Sequence, residues 1–286
     1  MGIGDHSGVV KARLHDSVEE FRDIAEPLYR RNPITNTIEL TLLEAGAFPA
    51  DSLLLTVWDD GTAVGAALQT PPYPLACNAI PADAMSPVAA EIVRDRPDLT
   101  SVRGGRSSAI AFAGAWQAIT GRATSIGTEE RLYRLGTLTT PSAVAGAPRD
   151  ATDDDRGLLI DWVQRFFEDA FGQARHDDGE EFLDNANQVG HRFVLWDVDG
   201  TPVSMAMLRV PAAGVSRIGP VFTPRDQRAN GYGSAVTAAA VQLAHRSGTP
   251  DVVLFADLAN PTSNAIYQQI GFEPVADSVR IDFTPS

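Results

Sequence analysis

Apolar positions recur at helical spacing between residues 11 and 30, with Val18, Phe21, Ile24, Ala25 and Leu28 on one stripe. That spacing predicts an amphipathic helix. At Leu53–Trp58 the pattern changes to a continuous apolar run, broken by Asp59-Asp60-Gly61 and resumed at Val64–Leu68. Two strands about an Asp-Gly turn are predicted there. The prolines of Pro71–Pro74 interrupt the chain, helical spacing returns around Ala82–Val93 and Ser107–Ile119, and Arg131–Leu135 reads as a strand closing the first half.

Residues 136–157 change character, with small residues and prolines leading into Asp153, Asp154 and Asp155. A linker followed by a helix N-terminus has that composition. The helix is predicted from about Asp155 to Ala170 on Leu159, Trp162, Val163, Phe166 and Phe167, and a shorter one near Gly179–Asn187. A second hairpin follows, Phe193–Trp196 and Val203–Leu208 about Asp197–Gly200. It matches the first in its tryptophan (Trp58, Trp196), its Asp-Gly turn and its place after helices, which hints at a duplicated architecture. Residues 1–140 and 141–286 are the two expected domains.

Composition narrows the partners. The net charge is −14, from 37 Asp and Glu against 23 Lys and Arg, with no clustered basic stretch. Nucleic acid and anionic membranes would be repelled, and cationic acceptors are mildly favoured. The single cysteine, Cys77, permits no internal disulfide or multi-cysteine metal site and fits a cytoplasmic home. Met1–His6 lacks the basic and apolar regions of a secretory leader.

The chemistry begins at Val215–Phe222, a predicted strand ended by Thr223-Pro224. Arg228-Ala229-Asn230-Gly231-Tyr232-Gly233-Ser234 then opens an Ala-rich helix. Strand, glycine loop and helix N-terminus together make an anion site, because the first-turn amides have no intrahelical acceptors and the dipole is positive there. Gly231 and Gly233 would let a pyrophosphate approach the backbone, and Arg228 can add a charge-assisted contact or brace the loop. A nucleotide P-loop would need Gly-Lys-Ser/Thr, and a dinucleotide fingerprint a third glycine where Val236 stands. Neither is present; a loop glycine-rich by chance is the alternative.

The next predicted strand, Val252–Asp257, leads to Asn260-Pro261-Thr262-Ser263-Asn264-Ala265-Ile266-Tyr267 and on to Gly271-Phe272. Asn260 suits an N-cap, Pro261 the first helical position and Gly271 the helix end. Here the sequence resembles the GNAT superfamily of acetyl-CoA-dependent N-acyltransferases. Its loop, Arg/Gln-x-x-Gly-x-Gly/Ala, is matched by Arg228, Gly231 and Gly233; its following Asn-x-x-Ala/Ser-x-x-x-Tyr-x-x-x-Gly-Phe pattern is matched by Asn260, Ser263, Tyr267, Gly271 and Phe272. The resemblance covers residues 150–286, and the first half is similar to the degenerate N-terminal half of tandem members.

The resemblance implies an α/β fold, a mixed twisted sheet flanked by helices, in two GNAT-like halves, with acetyl-CoA as acyl donor and no metal. Its pantetheine arm would lie between splayed parallel strands, against backbone groups of Val221, Phe222 and Thr223. The amides of Arg228, Ala229, Asn230, Gly231, Tyr232, Gly233 and Ser234 would hold the pyrophosphate, with Asn260 and Asn264 near the cofactor arm. Tyr267 would bind near the thioester sulfur and act as the catalytic acid; a plain core tyrosine is the alternative. The implied function is acetyl transfer to a primary amine, of a small molecule or a peptide, by a monomer or homodimer. The second reading is a non-catalytic acyl-CoA-binding or sensing module. Glu168, Asp169, His176, Glu180, Glu181, His191 and Asp257 are the candidate bases, with Asp257, at the end of a predicted buried strand, slightly favoured and a water chain to solvent as the alternative. Arg103–Ser108 is where a counterpart loop in the first half might fall, with Arg106 in place of a glycine, so no CoA binding is expected there.

Overall fold

A computed structural model describes residues 10–46, 48–171 and 179–284. The Met1–His6 segment and the candidate base His176 lie outside them. The elements run as two passes through one series. The first comprises β1 (Lys11–Leu14), α1 (Val18–Tyr29), α2 (Thr37–Ala45), β2 (Leu53–Asp59), β3 (Thr62–Gln69), β4 (Leu75–Ala79), a 3-10 turn (Ala82–Ala84), α3 (Met85–Asp95), β5 (Ser101–Gly105), α4 (Arg106–Thr120) and β6 (Thr124–Leu135). The second comprises β7 (Ala147–Asp150), a 3-10 turn (Asp153–Asp155), α5 (Arg156–Phe171), α6 (Gly179–Val189), β8 (Arg192–Val198), β9 (Thr201–Leu208), β10 (Val215–Phe222), a 3-10 turn (Arg225–Gln227), α7 (Tyr232–Arg246), β11 (Asp251–Asp257), α8 (Pro261–Gln269) and β12 (Phe272–Phe283).

The predicted hairpins are β2–β3 and β8–β9. Both shift register at the tryptophan, between Val57 and Trp58 in one and between Trp196 and Asp197 in the other. Three expectations change. Lys11–Leu14 is a strand, and the helix begins only after Ser17, whose hydroxyl caps it by accepting from the Glu20 N–H at 3.1 Å. The expected linker contains β7, paired with β8 from Ala147–Asp197 to Asp150–Val194. Arg103–Ser108 spans the β5–α4 junction, so the counterpart of the glycine loop is instead the β4–α3 connection.

Two compact units form, Met1–Glu130 with Ala276–Ser286, and Arg131–Val275. A cut after residue 140 would leave all of β12 in the second half; here its Ser278–Asp282 pair antiparallel with Gly105–Ser101 in the first unit. In the first unit the strands run β1-β2-β3-β4-β5-β12, and in the second β6-β11-β10-β9-β8-β7.

In the second unit, strand alternation sorts side chains to two faces. Phe193, Leu195, Met205, Met207 and Phe222 pack with Leu159, Trp162 and Val163 of α5 and Leu183 of α6. Val194, Ala206, Leu208, Ile218 and Leu254 pack with Val236 and Ala240 of α7 and Tyr267 of α8. Burial on both faces fixes the strand register, because a one-residue slip would invert every side chain. β10 and α7 are thereby held where chain passes from one to the other.

Candidate active site

β10 and β11 are parallel and in register from Val215–Asp251 to Ile218–Leu254. β10 continues to Phe222 and β11 to Asp257, so the strands end as separate edges of one notch. On its other side β10 shifts register against β9 between Ile218 and Val221. A bulge of this kind re-aims the strand end. Val221 packs against the cluster that contains Tyr267, while Phe222 points to the opposite core, 5.9 Å from Trp162 between ring centroids.

Past Phe222 the chain builds its loop. Thr223 is fixed by a 2.8 Å hydroxyl contact with Ser204, and its carbonyl accepts from Arg228 Nε at 3.0 Å. The second arm of Arg228 donates to Asp169 Oδ2 at 2.7 Å, and Arg225 donates to Asp169 Oδ1 at 2.6 Å. The two guanidiniums, Arg225 first, hold the Asp169 carboxyl below the usual carboxylate range. Asn230 turns its amide inward, donating to the carbonyls of Gln227 and Arg228 at 3.1 and 3.3 Å. Ala229 and Gly231 adopt left-handed φ values of 66° and 80°. A Cβ on Gly231 would also come within 3.1 Å of Val144 Cγ2.

α7 begins at Tyr232 with no side-chain cap. The first-turn amides, those of Tyr232, Gly233 and Ser234 among them, have no acceptor within the helix. A Cβ on Gly233 would meet only Thr223 Oγ1, at 3.4 Å, an ordinary contact. The protein's own packing therefore does not demand a glycine at 233. The arrangement offers a positive helix end, bare backbone and two guanidiniums.

Asn260 caps α8, its Oδ1 accepting from the Ser263 N–H at 3.0 Å. Asn264 spends both amide protons on the carbonyls of Asp257 and Asn260, each at 2.7 Å. Its Oδ1 accepts from Tyr133 at 2.7 Å, and Gln268 donates to the same Tyr133 oxygen at 3.1 Å. Only a lone pair of Asn264 remains to offer a ligand. Tyr133, fully buried on β6 and absent from the expected site, thus anchors α8. Tyr267 packs edge-on to Phe272 at 6.1 Å and tilted to Tyr133 at 6.5 Å. Its residue is 9% exposed, and its hydroxyl has no hydrogen-bond partner among the described residues. Burial pushes the phenol up to about 12. Gly271 has a packing role: a Cβ there would collide with the Thr137 carbonyl oxygen.

The candidate bases separate by position. His191 accepts from the Val210 N–H at 3.2 Å, at the Val215 end of the sheet, about 20 Å of strand from Phe222. Burial, then Arg209 and Arg217, pull its imidazole down to about 3, leaving a neutral ring of little basicity. Asp169 is committed to two arginines, and Glu180 pairs with Arg156 at 2.8 Å. Glu181 lies on the first turn of α6, and Glu168 is exposed on α5. Asp257 stands at the notch end of β11, its Oδ1 accepting from the Ala259 N–H at 2.8 Å. No group of three or more metal-ligating side chains occurs among the described residues, and no helix among them is long and apolar enough to cross a membrane.

The family model of the GNAT acetyltransferases matches residues 158–272. No curated protein matches the chain. Among solved structures the chain is similar to a tandem GNAT protein from the clavulanic acid biosynthesis pathway, with a TM-score of 0.59 and 14% identity over 97% of this chain and 99% of that one. It is also similar to a GCN5-related N-acetyltransferase from Sphaerobacter thermophilus, with a TM-score of 0.63 and 16% identity over 97% and 96%. A GCN5-related N-acetyltransferase from Kribbella flavida gives a TM-score of 0.56 and 18% identity over 88% and 96%. At such identities likeness speaks for the fold, a mixed α/β architecture in two GNAT halves. Residues 158–272 match the GNAT acetyltransferase family, whose chemistry is acyl transfer from an acyl-CoA.

Proposed function

We propose that the second unit transfers an acetyl group from acetyl-CoA to a primary amine of a small molecule or peptide, and that the first unit binds no CoA. The observation that carries this reading is the uncapped start of α7, beside a strand pair whose register ends at Ile218–Leu254. A pyrophosphate fits that start: Gly233 leaves the backbone bare, and Arg225 and Arg228 outnumber the one carboxylate between them. The amides from Arg228 to Ser234 would hold it, with the backbone of Val221, Phe222 and Thr223 along the arm. Asn260 would face the same arm, and Asn264 would fix the helix that carries Tyr267.

Acetyl-CoA supplies the acyl group as a thioester, so the protein's task is orientation and charge stabilisation. An amide near Val221 or Phe222 stabilises the negative charge that builds on the carbonyl oxygen as the C–N bond forms. Tyr267 faces the charge that builds on sulfur as the C–S bond breaks. With its pKa raised to about 12 the phenol stays protonated at neutral pH. Its first contribution is hydrogen-bond donation; full transfer to a thiolate, whose acid has a pKa of about 8.5, runs uphill unless the proton released by nitrogen returns to the phenolate. The amine arrives neutral and loses that proton by way of solvent or Tyr267. The net charge of −14 favours a cationic acceptor pool.

The test is CoA release from acetyl-CoA in the presence of polyamines, aminoglycosides and basic peptides. Amine-dependent release with stoichiometric N-acetyl product is expected. Tight acetyl-CoA binding with no release for any amine would favour a non-catalytic binding module instead.

A further inference from the structure

Asp169 belongs to α5, yet its partners are on the loop between β10 and α7. Each carboxylate oxygen takes one guanidinium, Oδ1 that of Arg225 at 2.6 Å and Oδ2 that of Arg228 at 2.7 Å. Arg228 also donates Nε–H to the Thr223 carbonyl at 3.0 Å. One planar fork therefore ties α5 and the end of β10 to the loop. The segment so tied has left-handed backbone at Ala229 and Gly231, and the helix it opens has no side-chain cap. Left-handed alanine is disfavoured, so the loop needs an outside restraint to keep this shape.

We infer that Asp169 is a positioning residue of the phosphate loop, holding Arg225 and Arg228 so that the first amides of α7 are presented before the pyrophosphate arrives. The inference deepens the acetyl-CoA reading and rests on it. Asp169 is not the base in this scheme, since both its oxygens are engaged. Its side chain is 28% exposed, those of Arg225 and Arg228 77% and 49%, so the restraint costs little desolvation and is modest in size. Its value is preorganisation: the ordering of the loop is done before binding.

Titration calorimetry with acetyl-CoA and steady-state kinetics on Asp169→Ala, Asp169→Asn, Asp169→Glu, Arg228→Ala and the Asp169→Ala/Arg228→Ala pair test it. Asp169→Ala should weaken acetyl-CoA about fivefold in Kd and KM, with kcat at saturating acetyl-CoA unchanged. Asp169→Glu should recover part of the loss. Asp169→Asn, nearly isosteric, should retain the fold and lose affinity, because it removes the charge and turns one of the two accepting oxygens into an NH2 donor facing a guanidinium. The double variant should lose less than the product of the two single losses, because Asp169 acts through Arg228. Unchanged or tighter binding by Asp169→Ala, or strictly multiplicative losses, would overturn the inference while leaving the acetyl-CoA reading intact. A wild-type chain that does not bind acetyl-CoA would overturn both.

Discussion

Each unit holds a pair of parallel strands that lose register before they end, and the two notches are finished differently. β4 and β5 are matched only at Leu75–Val102 and Ala76–Arg103. Beyond that point Asn78 reaches across, its Oδ1 accepting from the Gly105 N–H at 2.8 Å and its Nδ2 donating to the Thr35 carbonyl at 3.2 Å. A Cβ on Gly104 would come within 2.6 Å of Cys77 Sγ. The gap is filled with the chain's own atoms, and Cys77 lies buried in it with its thiol pushed up to about 12, chiefly by burial. β10 past Ile218 is Gly219-Pro220-Val221-Phe222, without one polar side chain to bridge with.

The connections differ in the same sense. After Pro81 the 3-10 turn Ala82–Ala84 runs directly into α3 at Met85. After Pro224 the 3-10 turn Arg225–Gln227 is followed by Arg228–Gly231 before α7 opens at Tyr232. One architecture thus yields a notch closed by a single asparagine and a notch that leads through a glycine loop to an uncapped helix start. On the proposed reading, readiness for CoA resides in a few side chains and one short segment, and the fold alone does not confer it.

The sharpest way to break the contrast is to spoil the second notch. Gly233→Glu should reduce acetyl-CoA affinity at least 100-fold, by placing a carboxylate against the amides proposed to hold the pyrophosphate. Since only Thr223 Oγ1 lies near a Cβ there, at 3.4 Å, the circular dichroism spectrum should not change; normal binding would refute the loop assignment. Next in size, Tyr267→Phe should retain acetyl-CoA affinity and lower kcat about 100-fold. Retained turnover would return Tyr267 to the core.

The pH profile sharpens the same point. Burial raises the Tyr267 pKa to about 12, so the protonated phenol persists as pH rises and the rate should climb with amine deprotonation. No falling limb due to Tyr267 is expected up to about pH 10. A falling limb below that pH, absent in Tyr267→Phe, would contradict the raised pKa. The smallest effect belongs to the first notch. Asn78→Ala should cost about 1 kcal/mol of stability in denaturant titration by stranding the Gly105 N–H. It should add no second equivalent of bound acetyl-CoA, since the counterpart of Arg228–Gly231 is still missing; a gained equivalent would show that the side chain alone closes the site.

Much of this was legible in the sequence where the determinants are local. The Asp-Gly turns announced both hairpins, the alanine stripe announced α7, and Asn260-Pro261 announced α8 with its cap in place. Lys11–Leu14 was not legible, because four residues are too few to establish a period of two beside a strong helical stripe. β7 was hidden by Pro148, which an edge strand tolerates. The transfer of Ser278–Asp282 to the first unit has no local signal at all. The same holds at the site: Asp169 meets Arg225 and Arg228 across 56 and 59 residues, and Tyr133 meets Asn264 across 131. Pattern could find the loop and the tyrosine, but only tertiary pairing reveals what holds them.

Titration of the intact chain with acetyl-CoA, followed by calorimetry for its stoichiometry, tests the contrast most directly. One equivalent per chain, lost in Gly233→Glu, is the predicted result. Two equivalents would show that Asn78 does not close the first notch, and none would contradict the assignment of an acetyl-CoA site to β10, β11 and α7.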